Sequence, residues 1–561
     1  MIKAVLILAL CGFTSAVDCH SIATAASEQT IWAGIDEIVQ ETLETFKIPG
    51  GAIGVVVQGQ VVFVKGYGIR DREQNLPVTE NTLFAIGSCT KAFTTFALGQ
   101  LVDEGVISWD DPVITHLPEF LLKDPHATHH ATLRDLVTHR SGLPKHDFVW
   151  YNSDFPRSDL LNRLQHLEYS SDLREKFQYN NLMYGIAGLV IEKITRESWE
   201  DTLRARILDP LGMDRSNFSV EDSQLSDDFA LPYWENDGLV ERVPFRKISN
   251  VGPAASINSS ASDMVKWLQL QLAEGRFAER DLIAKATLQE IHTLQTPIPA
   301  YPDESIYSLG YGLGWTIGIH KGHYCAFHVG GVDGFISNTT LLPRDGIGVV
   351  VLSNNSSHGF KFVTAVTNAI LDRFIGIPGV IEKAEIGQGG SSDFSTGARD
   401  IAKGKNRSEG EKYEEKPTPN QSRFFNHERY KTETNWIDHT KKKYSQGIAA
   451  TGKPKEEIIH TEQEPPLSVF DQYVGIYENP GYGLVRIYLE GGFLIAEYNQ
   501  IRFPLQHSNC DLFIGSFTSP LSVFSLNHLP FQFSRLSSGE IFETLIPFEA
   551  SVAPISFKKK S

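Results

Sequence analysis

The chain has 561 residues, an apolar share of 41% and a charged share of 21%, an ordinary globular composition with room for two or three domains. A formal net charge of −17 argues against a nucleic-acid binder, which would carry a basic stripe, and against attraction to anionic membranes. Five cysteines in a chain this long exclude a disulfide framework, and Cys89, Cys325 and Cys510 read as small hydrophobes.

Met1-Ile2-Lys3 carries one basic residue, Ala4 to Phe13 is apolar and small residues follow, with Ala23-Thr24-Ala25 as a small-x-small site. This reads as a signal peptide over residues 1–25 and implies a secreted or periplasmic protein. No later stretch approaches the roughly 18 apolar residues that a membrane span needs. Ile31 to Phe46 has helical spacing, and Ile48-Pro49-Gly50-Gly51 stops it. Ala52 to Val57 and Val61 to Val64 flank Gln58-Gly59-Gln60 as a hairpin. Phe93, Ala97 and Leu101 then mark a buried amphipathic helix that ends at Asp103-Glu104-Gly105.

Trp109 to about Phe245 reads as mainly helical, with one helix over Thr132 to Pro144 ending in a Gly/Pro turn and another over Leu182 to Ile194. A third runs from Ser259 to Leu272. Strand patterns return at Tyr311 to Ile317, Tyr324 to Val329, Phe335 to Leu342 and Ile347 to Leu352, and a helix over Phe362 to Phe374 follows. Early strands, a helical middle, late strands and a closing helix predict an α/β (α+β) fold: an antiparallel sheet flanked by helices, with an all-helical insertion. Residues 26–380 form this domain. Residues 381–466 are Gly/Ser-rich and charged, the composition of a linker. Residues 467–561 carry closely spaced short strands, such as Leu484 to Leu489 and Phe493 to Tyr498 around Glu490-Gly491-Gly492, and predict a small β-barrel.

Chemistry enters at Ser88-Cys89-Thr90-Lys91, where the helix begins. Residues three apart on a helix share a face, so the Lys91 amine reaches the Ser88 hydroxyl beside an electropositive helix start. These are the parts of a nucleophilic acyl-transfer site. The tetrapeptide alone equally describes a helix-capping serine beside a solvated lysine, and Ser-x-x-Lys recurs at Ser556 to Lys559 in a basic terminal tail. Tyr179-Asn180-Asn181 precedes a helix but has a counterpart at Tyr477-Glu478-Asn479. His328-Val329-Gly330-Gly331 ends a strand, whereas His320-Lys321-Gly322 looks like a turn. Order and context separate the first set from the decoys.

With these motifs in this order the chain resembles the beta-lactamase-related serine hydrolases: class C beta-lactamases, D-Ala-D-Ala carboxypeptidases, D-aminopeptidases and related esterases. The resemblance covers about Ile31 to Phe374. It extends to Thr132 to Pro144, Pro210-Leu211-Gly212-Met213 and Gly252 to Ser260, and the tail resembles an appended lipocalin-like barrel. It implies Ser88 as nucleophile, with Lys91 and Tyr179 as acid/base groups in an order left open. It also implies that Asn181 orients Lys91 and the substrate, that Ser88 and Gly331 N–H groups form the oxyanion hole, and that Gly330 allows close approach to the strand edge. His328 stands where beta-lactamases of this family usually carry lysine, so a fixed charge for a substrate carboxylate is missing.

The expected activity is therefore hydrolysis of an amide, including a D-amino-acid peptide, or of an ester. A true beta-lactamase and a non-catalytic penicillin-binding-like scaffold are the alternatives. No cofactor is expected, and no metal; Lys123 to His130 reads as a solvated loop. The expected partner is a small-molecule or peptide substrate, and the barrel either covers the cleft or assembles a homo-oligomer.

Overall fold

The structure, a computed structural model, describes residues 32–236, 238–298, 306–375, 467–516 and 528–560. The expected signal peptide and linker lie outside these residues. The larger part is built on a nine-stranded sheet in the order Thr296–Pro297, Ile306–Tyr311, Thr316–His320, His323–Val332, Phe335–Leu342, Ile347–Ser353, Gly50–Val57, Gln60–Asp71 and Leu76–Pro77. Neighbours are antiparallel throughout, and the early and late strands join where Ile53 pairs with Val351.

Alternate residues of the central strands serve two different cores, because successive side chains on a strand point to opposite faces. Ile53, Val55, Val349 and Val351 pack against Ile35 and Val39 of helix Ile35–Thr45 and Phe362, Val366 and Ile370 of helix Gly359–Ile375. Ala52, Val56, Val350 and Leu352 belong to the other core, with Phe93, Phe96 and Trp267 from helices Thr90–Asp103 and Ala261–Leu272. Double coverage is why these strands read as continuous apolar runs.

Helix Thr90–Asp103 is not amphipathic: residues 90–101 are all buried. Trp267 stacks on Phe93, with ring centroids 3.9 Å apart. The polar residues of this helix find partners inside, Thr94 Oγ1 donating to Pro253 O at 2.7 Å and Thr95 Oγ1 to Leu313 O at 2.9 Å. Burying hydroxyls costs little when they are so satisfied.

Three local elements also differ from expectation. The apolar run Tyr311 to Ile317 is not one strand but the turn between two, because Gly314 takes φ +81 and the Gly312 N–H closes on Trp315 O at 2.7 Å. The Gly314 backbone lies against Lys91, where a Cβ would come within 2.9 Å of Lys91 O. The predicted helix over Thr132 to Pro144 is only Leu133–Val137, started by a capping box between Thr132 and Asp135. The His-rich stretch is not a loop but a short helix, Pro125–His130, capped by the Asp124 side chain on the His126 N–H. Lys321 and Gly322, at φ 47 and 96, do make the tight turn expected of them.

The C-terminal strands close into an eight-stranded barrel, from Gly475–Asn479 to Ile555–Lys559, the two ends meeting where Tyr477 pairs with Lys559. Val485 and Ile487 are buried while Leu484 and Arg486 between them are exposed. Tyr477, Phe503, Phe513, Phe531 and Phe557 fill the interior. Both serine and tyrosine decoys are absorbed here: Ser556 to Lys559 lies on the last strand rather than in a tail, and Tyr477 to Asn479 on the first. Among the described residues no helix is long and apolar enough to cross a membrane.

Candidate active site

Ser88 sits in the single 3-10 turn Gly87–Cys89 that runs into helix Thr90–Asp103. Its side chain caps nothing. Gly87 adopts φ +50, and a Cβ there would lie 2.6 Å from Gly331 N. A Cβ on Gly330 would lie 1.9 Å from Ile86 O. Only glycines let the turn carrying Ser88 press so closely on strand His323–Val332, which brings the backbone of Gly331 beside it.

Lys91, one helical turn on, is fully buried. Its Nζ lies 3.1 Å from Ser88 Oγ, 2.8 Å from Asn181 Oδ1 and 3.0 Å from Ala254 O. Burial pushes its pKa well below the ordinary lysine range, against the opposing pull of Asp147 and with the help of Lys145. A neutral amine has two N–H groups and one lone pair. Two carbonyl oxygens, Asn181 Oδ1 and Ala254 O, take the N–H groups, and the lone pair is left for Ser88.

Tyr179 approaches from the other side, its Oη donating to Ser88 Oγ at 2.7 Å. Burial raises its pKa, with the Ser88 hydrogen bond opposing, so it is a protonated phenol at neutral pH. The two groups therefore differ in state: the amine can accept a proton and the phenol can supply one.

The neighbouring asparagines divide the labour. Asn180, not Asn181, caps helix Asn181–Thr195, its Oδ1 accepting from Met183 N at 3.1 Å. Asn180 Nδ2 also donates to Pro144 O at 2.5 Å. Asn181 is thereby free to turn to Lys91, and its Nδ2 donates to Asp147 Oδ1 at 3.3 Å.

His328 is buried on the strand beside the site. Its Nδ1 donates to Val329 O at 2.8 Å, so Nε2 is the acceptor for the Tyr311 hydroxyl, also at 2.8 Å. Burial lowers its pKa to about 3. Cys89 is buried as well, donating to His328 O at 3.1 Å, and burial raises its thiol. It packs behind the nucleophile rather than competing with it.

The structure thus brings Ser88, Lys91, Tyr179, Asn181, His328, Gly330 and Gly331 to one place. It adds residues that the motif reading passed over. His139, at φ 58, accepts the Asn180 N–H on Nδ1 at 3.1 Å, and its ring lies 4.3 Å from that of Tyr179. Tyr311 holds His328, and Ala254 holds Lys91. His139 lies inside Thr132 to Pro144 and Ala254 inside Gly252 to Ser260, so their segments were visible though their roles were not. Asp147 had no sequence signal. Among the described residues no group of three or more His, Cys, Asp or Glu side chains could hold a metal ion.

Three histidines in this part of the protein are buried and neutral: His139 is held well below its ordinary value, His292 near 4 and His328 near 3, burial leading in each case. The unfolded chain binds protons at these residues from about pH 6.5 downward, and the folded chain does not. Stability is therefore complete above that pH and falls on acidification, each histidine adding a slope approaching about 1.4 kcal/mol per pH unit. The expected result is a lower melting temperature at pH 5 than at pH 7.5, with a shallower fall in His292→Gln; an equal fall in that variant would contradict it.

A family model described as Beta-lactamase matches residues 35–371. The chain belongs to the beta-lactamase family. It is 32% identical over 350 residues to the unguisins hydrolase ungD' of Aspergillus campestris (strain IBT 28561). That match covers 60% of this chain and 64% of the relative, less than two thirds of the relative's length. Among solved structures, an octameric penicillin-binding protein homologue from Pyrococcus abyssi superposes with a TM-score of 0.55 at 20% identity, covering 93% of this chain and 99% of its own. EstCE1, described as a hydrolase with promiscuous acyltransferase activity, does so with a TM-score of 0.54 at 18% identity, covering 63% and 100%. These last two likenesses concern the fold. The beta-lactamase family placement carries with it the serine hydrolase superfamily, whose members are generally serine hydrolases.

Proposed function

We propose that this beta-lactamase family member hydrolyses an amide, with D-amino-acid peptides among the candidate substrates, or an ester, through an acyl-enzyme on Ser88. The carrying observation is the convergence on Ser88 Oγ of a buried amine at 3.1 Å and a phenol at 2.7 Å. Lys91 takes the Ser88 proton as the hydroxyl attacks the carbonyl carbon. Backbone N–H groups of Ser88 and Gly331 stabilise the resulting oxyanion. Tyr179 donates its proton to the departing amine or alkoxide, and water then releases the acyl group by the reverse path. Asn181 holds Lys91 in place.

The neutrality of His328 favours amides and esters over beta-lactams. A buried imidazole with a pKa of about 3 offers no positive charge to a carboxylate near pH 7. The hydrolase name of the Aspergillus relative is consistent with this reading. Removal of residues 1–25 on export and the likeness of the barrel to a lipocalin belong to the same proposal.

The test is labelling with a fluorophosphonate, mapped by mass spectrometry, followed by a panel of D- and L-amino-acid amides, short-chain esters and nitrocefin. Label on Ser88 with turnover of amides or esters is expected. Absence of any acylation would favour the scaffold alternative, and nitrocefin turnover at enzymatic rates would favour a true beta-lactamase.

A further inference from the structure

Asn181 is useful to Lys91 only in one orientation of its amide. Its Oδ1 accepts from Lys91 Nζ at 2.8 Å, and a flipped amide would present an NH2 group to the amine instead. The other end of the amide decides the matter. Asn181 Nδ2 donates to Asp147 Oδ1 at 3.3 Å, and the same oxygen accepts from Trp150 Nε1 at 2.8 Å. A carboxylate oxygen offers no proton, so it accepts only the NH2 end. Asp147 is buried, which raises its pKa, and Lys145, Trp150 and Asn181 oppose that rise while Glu549 adds to it.

What holds Asp147 is largely the barrel. His146, next to it, is buried in the left-handed region at φ 46, which favours glycine. Its backbone N–H donates to Glu549 Oε2 at 3.0 Å. Its ring Nε2 donates to Glu168 O at 2.8 Å, so Nδ1 accepts from the Tyr482 hydroxyl, at 2.6 Å. On the other side, Phe148 O accepts from Tyr498 Oη at 2.8 Å and Asn499 Nδ2 at 3.0 Å. The Phe148 ring stacks on Phe548, centroids 4.5 Å apart. Residues on both sides of position 147 are thus pinned from the barrel, while Asp147 itself faces the catalytic cluster.

We propose that Asp147 is a positioning residue for the Lys91–Asn181 pair, and that the C-terminal barrel works on the reaction by holding the segment that carries it. This rests on Ser88 acylation as proposed above. The barrel then sets a rate from behind the site, in addition to anything it does at the cleft or between subunits. Asp147 is also the leading charge that opposes the lowering of the Lys91 pKa by burial, with Lys145 acting the opposite way.

The test uses the full chain. Wild type, Asp147→Asn and the double variant Tyr498→Phe/Glu549→Gln are compared for fluorophosphonate labelling rate against pH, and for kcat and KM on a p-nitrophenyl ester. Asp147→Asn is expected to lower kcat about 10- to 100-fold, the range for outer groups that orient an active ligand, with KM changed less than about 2-fold. Its labelling midpoint should move to lower pH, which loss of packing alone would not produce. The double variant keeps the aromatic ring and the barrel's own core, and should lower kcat about 3- to 10-fold in the same way. If Asp147→Asn fails to fold, the double variant decides. Wild-type rates and midpoints in both variants overturn the proposal, and a wild-type rate in the double variant alone overturns the barrel's part. Failure of the wild type to label at Ser88 overturns the hydrolase reading itself, and is read from the wild type alone.

Discussion

Ser88→Ala is expected to abolish turnover and fluorophosphonate labelling, a loss of at least about 10⁴-fold, since removing a nucleophile leaves only binding and oxyanion stabilisation. The fold should survive. Among the described residues Ser88 Oγ bonds to Lys91 Nζ and Tyr179 Oη, and the tight approach of its turn to the strand is made by Gly87 and Gly330. Alanine fits the same backbone, and Lys91 Nζ keeps its bonds to Asn181 Oδ1 and Ala254 O. Circular dichroism and the melting temperature should therefore stay near those of the wild type while labelling disappears. Label appearing at another residue of this variant would refute the assignment.

Lys91→Met is expected to lower kcat by about 10²- to 10⁴-fold, the usual contribution of a general base. Methionine matches the length of the lysine stem and places no charge at a position that is fully buried. Two carbonyls, Asn181 Oδ1 and Ala254 O, lose their donor, so some destabilisation accompanies the loss of rate. The informative measurement is the pH profile. In the wild type the rate should rise with pH through the depressed pKa of Lys91, reaching its plateau well below the ordinary lysine value. In Lys91→Met that limb should vanish. If the limb persists, Tyr179 rather than Lys91 is the base.

The comparison of motif and structure is clearest at the places where the two disagree. Ser-x-x-Lys and Tyr-x-Asn each occur twice, and in both cases the copy on the barrel is an ordinary strand segment. Nothing within the four or three residues distinguishes the copies; the helix that follows Ser88 does. The run Tyr311 to Ile317 reads as a strand because it is apolar, yet it turns, since Gly312 and Gly314 remove the side chains that would resist the bend and Gly314 must fit against Lys91. Asn180 and Asn181 are the same residue type side by side, and only the direction of the helix start decides which caps and which reaches inward. Helix Thr90–Asp103 carries an apolar spacing that suggests one wet face, but its threonines bond to carbonyls of other segments and the wet face does not exist.

Local pattern by itself determined the longer helices, the strand pairs around tight turns, the antiparallel architecture and the barrel, because these depend on apolar periodicity and turn residues within a short window. It also determined Ser88, Lys91, Tyr179 and His328 as the residues to watch. Tertiary structure alone decided that Lys91 is sealed from water, that His328 is kept neutral by burial, and that a carboxylate at position 147 stands behind Asn181 with the barrel at its back. Burial and charge depend on which distant segments close over a side chain, and separations such as 90 residues between Lys91 and Asn181, or 350 between Phe148 and Tyr498, leave no trace in the spacing of neighbours.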